Sequence, residues 1–166
     1  MRSTFVGICL LLSGLSLRAQ AIHLGETRPS ANRGHVLLLS DSVQVEAGKS
    51  QVVELRFRVD QGFHINSHTP KDELLIPTVL KLEPSPDIKV TDEQYQKGTA
   101  FRLTLPSSGE AGETLDVYQG EFRVSLRILA PKGVSTLTGS LRYQACDNQA
   151  CFPPKTLPVM ISVTRN

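Results

Sequence analysis

The residues best placed to do chemistry in this chain are Cys146 and Cys151. They stand with four residues between them in the segment Tyr143-Gln144-Ala145-Cys146-Asp147-Asn148-Gln149-Ala150-Cys151-Phe152-Pro153-Pro154-Lys155. Four intervening residues can form a tight loop that brings two sulfurs within disulfide reach. Pro153 and Pro154 lack an N–H and fix φ, so a strand cannot resume before about Lys155. The pair therefore belongs to a short, stiff loop between strands. A bond there closes few residues and constrains the unfolded chain less than a long-range one would. The chemistry on offer is thiol–disulfide exchange, in which a thiolate attacks an approachable sulfur in line. The plain alternative is a permanent bond in an exported β domain. No basic residue lies between the cysteines, and the charge of Asp147 raises a thiol pKa rather than lowering it. This differs from a Cys-x-x-Cys pair activated at a helix N-terminus. The pair thus reads as an electron carrier whose partners supply the activated thiolate.

The same residues carry a resemblance. Tyr143-Gln144-Ala145-Cys146 followed by Cys151-Phe152-Pro153-Pro154 resembles the active-site segment of the N-terminal domain family of DsbD, the membrane thiol:disulfide interchange protein. The likeness continues upstream through Gly62-Phe63-His64-Ile65-Asn66-Ser67 and Leu74-Leu75-Ile76-Pro77-Thr78, and covers roughly residues 36–164. It implies an immunoglobulin-like fold and a reversible disulfide between Cys146 and Cys151. By position, Cys151 resembles the cysteine that exchanges with partners and Cys146 the one that resolves the mixed disulfide. Tyr143, Phe152, Pro153 and Pro154 would be their neighbours. The family also implies a shielding loop over the sulfurs. Its nearest counterpart is Asp92-Glu93-Gln94-Tyr95-Gln96-Lys97-Gly98, with Tyr95 as the covering ring, although Gln94 stands where an aromatic residue is usual. The implied partners are thioredoxin-fold redox proteins, among them disulfide isomerases or cytochrome c maturation proteins, and a membrane electron donor on a separate polypeptide. The implied compartment is the periplasm.

What must position the pair is a set of short strands. Val53, Leu55, Phe57 and Val59 alternate with Glu54, Arg56 and Arg58, and Phe122, Val124, Leu126 and Ile128 alternate with Arg123, Ser125 and Arg127. Period two of this kind marks half-buried strands. Phe101, Leu103 and Leu105 form a third run, Leu137, Leu141 and Tyr143 a fourth, and Val159, Ile161 and Val163 the last. Turn signals separate them, including Asp60-Gln61-Gly62, Pro84-Ser85-Pro86 and Pro131-Lys132-Gly133. Helical periodicity is not sustained anywhere, with one turn at most over Lys71 to Leu75. The pattern predicts an all-β, immunoglobulin-like antiparallel β-sandwich over residues 35–166.

Residues 1–21 read as a secretory signal peptide: Arg2, an apolar run from Phe5 to Leu17, and the small-x-small site Ala19-Gln20-Ala21. Cys9 would leave with it, and residues 22–34 form a polar, flexible lead-in. Loss of Arg2 and Arg18 takes the basic residues from 18 to 16, against 16 acidic ones. That balance argues against nucleic acid as a partner. No later apolar run reaches membrane length, so the mature chain is expected to be soluble. With two cysteines in an oxidising compartment, one intramolecular disulfide is expected. His64 and His68, near Asp72 and Glu73, lack a third ligand at defined spacing, so no metal and no other cofactor is assigned. Phe63 and Ile65 are expected to point inward, with His64 and Asn66 toward the site or solvent. The rival reading, from a different class, is an immunoglobulin-like binding or assembly module with a purely structural bond.

Overall fold

Water on one face and a core on the other dictate most of what this chain does. In the computed structural model, which describes residues 34–103, 113–130 and 133–165, twelve strands follow one another and no helix forms among the described residues. They are β1 (Val36–Leu38), β2 (Ser42–Val45), β3 (Ser50–Val59), β4 (His64–Asn66), β5 (Val79–Leu82), β6 (Lys89–Tyr95), β7 (Thr99–Leu103), β8 (Glu113–Tyr118), β9 (Glu121–Leu129), β10 (Gly133–Tyr143), β11 (Ala145–Cys146) and β12 (Lys155–Arg165). The expected leader, the lead-in short of Gly34, and Leu105 lie outside the described residues.

The strands form three four-stranded sheets, ordered β1-β3-β9-β6, β2-β12-β10-β5 and β11-β4-β8-β7. The two long alternating runs pair antiparallel over their full length, Leu55 opposite Val124 and Phe57 opposite Phe122. Phe57 and Phe122 stack with centroids 5.2 Å apart. Their inner faces meet Leu137, Leu141, Tyr143, Val159, Ile161 and Val163 from β10 and β12 in one continuous apolar core. This is the expected immunoglobulin-like sandwich. One pair departs from the antiparallel rule: β12 runs parallel to β2, with Val163 opposite Val43.

The two Pro-Pro residues act as read from the sequence, and β12 begins at Lys155. Gly62 closes the Asp60–Phe63 turn with φ +85, a left-handed conformation that costs a side chain about 1–2 kcal/mol. The chain then enters β4, whose three residues are all buried. Beyond β4 the segment up to Thr78 folds back on the strand. Thr78 Oγ1 donates to the Asn66 carbonyl (2.6 Å), Asn66 Nδ2 donates to the Ile76 carbonyl (3.0 Å), and the Thr78 N–H donates to the Ser67 carbonyl (3.1 Å). These bonds brace the third sheet, which carries Cys146.

Candidate functional site

Strand β10 ends at Tyr143, and after Gln144 the chain continues into β11, which pairs with β4 rather than with β12: Ala145 lies opposite Ile65 and Cys146 opposite His64. Cys146 and Cys151 are joined by a disulfide with their Cα atoms 4.0 Å apart. The loop between them is organised by Asp147. Its Oδ1 accepts the N–H groups of Gln149 (2.7 Å) and Ala150 (2.8 Å), while its own N–H donates to the Ala150 carbonyl (3.0 Å). Those two backbone donors hold the Asp147 carboxyl below its ordinary range. Just outside the ring, the Phe152 N–H donates to the Ala145 carbonyl (2.8 Å) and Gln144 Nε2 to the Phe152 carbonyl (3.1 Å). The result is a tight hairpin whose two arms carry one sulfur each.

The two sulfurs differ in access. Cys146 is 2% exposed, whereas Cys151 lies open at the surface. A hollow of about 170 Å³ sits against the bond, lined by His64, Leu115 and the loop residues Cys146, Asp147, Gln149, Ala150 and Cys151. His64 is 2% exposed, and Phe101 covers its ring at a centroid distance of 4.3 Å. Burial pushes the imidazole pKa below the ordinary 6.5, and the negative charge of Asp147 opposes this only in part. The imidazole is therefore neutral around neutral pH.

The residues named from the sequence separate into groups. Phe152 lies beside the site, tilted against His35 (5.6 Å) and Phe63 (5.9 Å), which themselves stack at 3.7 Å. Pro153 and Pro154 are exposed next to it. Tyr143 instead points into the core, 1% exposed, with its hydroxyl hydrogen-bonded by the backbone of His35 and Val36. Tyr95 is not brought to the sulfurs. The stretch read as a shielding loop is largely strand β6, paired with β9, and Tyr95 stacks on His68 at 3.6 Å with an interplanar angle of 2°. Its hydroxyl accepts the Leu80 N–H (2.8 Å) and donates to Glu93. The physical reason is that Tyr95 is the half-buried end of an outward-facing strand, and its hydroxyl is held by the neighbouring sheet. His64 and His68 have different surroundings, one against the disulfide and one against Tyr95. Among the described residues no group of three or more His, Cys, Asp or Glu side chains is arranged to hold a metal ion. Ile65 is inward and His64 faces the site, as expected, but neither His64 nor Asn66 reaches solvent, because β4 is enclosed on both faces. Phe101 and Leu115, read from sequence only as strand residues or not at all, form walls of the site. Nothing local marks them, since β7 and β8 bring them in from a distant part of the chain.

A model of the family described as thiol:disulfide interchange protein DsbD, N-terminal, matches residues 36–162. Among solved structures, the chain is similar to the DsbD N-terminal domain of Neisseria meningitidis in the reduced form, at 21% identity over 70% of this chain and 80% of that one, with a TM-score of 0.44. It is also similar to a PapD-like domain of human CEP192, at 10% identity over 90% of this chain and 97% of that one, with a TM-score of 0.35. No curated protein matches the chain.

Proposed function

Because the chain belongs to the DsbD N-terminal family, we propose that it performs extracytoplasmic thiol–disulfide exchange through a reversible Cys146–Cys151 bond, taking electrons from a membrane or thioredoxin-like donor and passing them to oxidised thioredoxin-fold partners. Residues 1–21 are a signal peptide, 22–34 a lead-in and 35–166 the exchange domain, acting in the periplasm. The observation that carries the reading is the asymmetry of the bond: an open Cys151 and a covered Cys146, joined on a hairpin outside the main core.

In the reduced domain the Cys151 thiolate attacks one sulfur of a partner disulfide and expels the other as a thiolate. Cys146 then attacks the Cys151 sulfur, the bond from Cys151 to the partner breaks, and the second partner thiol departs. Two electrons have passed to the partner and the Cys146–Cys151 bond has re-formed. Cys151 exchanges because an incoming sulfur can reach it, and Cys146 resolves because only Cys151 is within its reach. Phe152, Pro153 and Pro154 give the partner a rigid surface beside the exchanging sulfur.

The test is adduct trapping. Cys146→Ala is expected to leave a lone Cys151 thiol that accumulates mixed disulfides with an oxidised thioredoxin-fold protein on a non-reducing gel, whereas Cys151→Ala traps little. Equal trapping by both would remove the assigned roles. Failure of both, together with resistance of the native bond to a reduced thioredoxin-fold protein, would favour the binding-module reading with a structural bond.

A further inference from the structure

His64 has no place in the exchange steps written above, yet its ring lines the same small hollow as both sulfurs. It is the cross-strand partner of Cys146, on a three-residue strand enclosed on both faces. Phe101 of β7 covers its ring and Leu115 of β8 closes the hollow beside it, so neither strand offers it a charge there. The charged group that acts on the ring is Asp147, whose Oδ1 is already held by two loop N–H groups. A thiol, an imidazole and a fixed carboxylate thus converge on one site. In a covalent step this is the arrangement in which a base takes the proton of a nucleophile and a third group steadies the base.

We propose that His64 is the general base that deprotonates Cys146 in the resolving step. The proposal rests on the exchange reading and adds to it a residue and a direction. With a partner bonded to Cys151, the Cys146 thiol gives its proton to the imidazole, and the resulting thiolate attacks the Cys151 sulfur. The Cys146–Cys151 bond forms, the bond from Cys151 to the partner breaks, and the departing partner thiolate recovers a proton from the imidazolium or from water. The partner gains the electron pair that the two cysteines lose. A buried thiol in apolar surroundings is a poor nucleophile because burial disfavours its charged form. A neutral imidazole at hand removes that obstacle, and the Asp147 charge favours the imidazolium that forms. The low pKa of His64 is consistent with this task, since it keeps the basic form available at neutral pH.

The experiment uses the protein expressed from its full sequence with Cys9→Ala, reduced and then mixed in a stopped-flow with dithiobis-nitrobenzoate, whose thiolate product is coloured. The first phase reports attack by Cys151, and the second, with release of a further thiolate, reports resolution by Cys146. In His64→Gln the second phase is expected to slow on the order of a hundredfold at neutral pH with the first unchanged. In the protein with His64 intact, the second-phase rate should rise with pH along the titration of His64 itself, followed by NMR in the same sample, which keeps the test alive if the variant misfolds. A second phase that is equally fast in His64→Gln, a slowing of both phases alike, or a pH profile flat across the His64 titration would overturn the role. Absence of any second release with His64 intact would sink the exchange reading, a different failure from loss of the His64 effect alone.

Discussion

Two side chains of the site are set by what surrounds them rather than by what they are. Asp147 was read as a charge that works against a nearby thiolate. The structure spends that charge on two backbone N–H groups of its own loop, so it is a loop organiser first. His64 was weighed as half of a weak metal pair, and nothing adjacent in Gly62-Phe63-His64-Ile65-Asn66 reveals that Phe101 and the disulfide enclose it. Its burial makes a prediction for stability. Unfolded, His64 titrates near 6.5, and folded it titrates lower. Between those values the unfolded chain binds more protons, so this contribution to stability is full above 6.5 and is lost as pH falls toward the folded value. Thermal melting from pH 7.5 down to 5 should show an acid-side decline in Tm that is smaller in His64→Gln. Parallel declines in the two proteins would mean that the ring charges without penalty.

At the scale of elements, legibility followed the number of faces each strand hides. Strands β3 and β9 hide one face and wet the other, so Val53–Val59 and Phe122–Ile128 declared themselves by alternation. Strand β6 is an edge strand that wets most of its residues, including Asp92, Glu93 and Gln94, so period two failed there and the stretch passed for a loop. Strand β4 hides everything in three residues, too short a run to show any period. The parallel pairing of β2 with β12 has no local signal because it joins segments more than a hundred residues apart. The cysteine loop was legible because its Pro-Pro stop is a covalent fact. The tie between β4 and the segment ending at Thr78 was not, since it depends on single hydrogen bonds. Thr78→Val keeps the shape and removes the hydroxyl that donates to the Asn66 carbonyl at 2.6 Å. It should cost about 1–3 kcal/mol, the range for a buried polar group left short of a partner. Urea unfolding should show a lower midpoint at unchanged slope, and an unchanged midpoint would mean that the tie is dispensable.

For the whole molecule, the main core and the redox site are separable. The disulfide links residues only five apart in sequence, so chain entropy assigns it about 2 kcal/mol. The core of β3, β9, β10 and β12 stands without it. Cys146→Ser with Cys151→Ser should keep the β-type circular dichroism and lose roughly 5–10 °C in Tm. Collapse at room temperature would make the bond a structural staple. A domain that changes redox state in each cycle needs this independence, because both states must fold alike. One feature of the topology has a further effect on how the chain comes together in time. Strand β12 is the last in sequence, yet it is interior to its sheet, between β2 and β10. A growing chain that has reached Pro154 therefore holds β2 without its neighbour and β10 with one side open. Vectorial synthesis can build the β3–β9 layer early, but the sandwich closes only when the β12 segment arrives. The cysteine hairpin, by contrast, is held by β4 and by bonds within residues 144–152, partners that all precede the β12 segment in the chain. The contacts that shape the Cys146–Cys151 hairpin therefore do not wait for the strand that closes the sandwich.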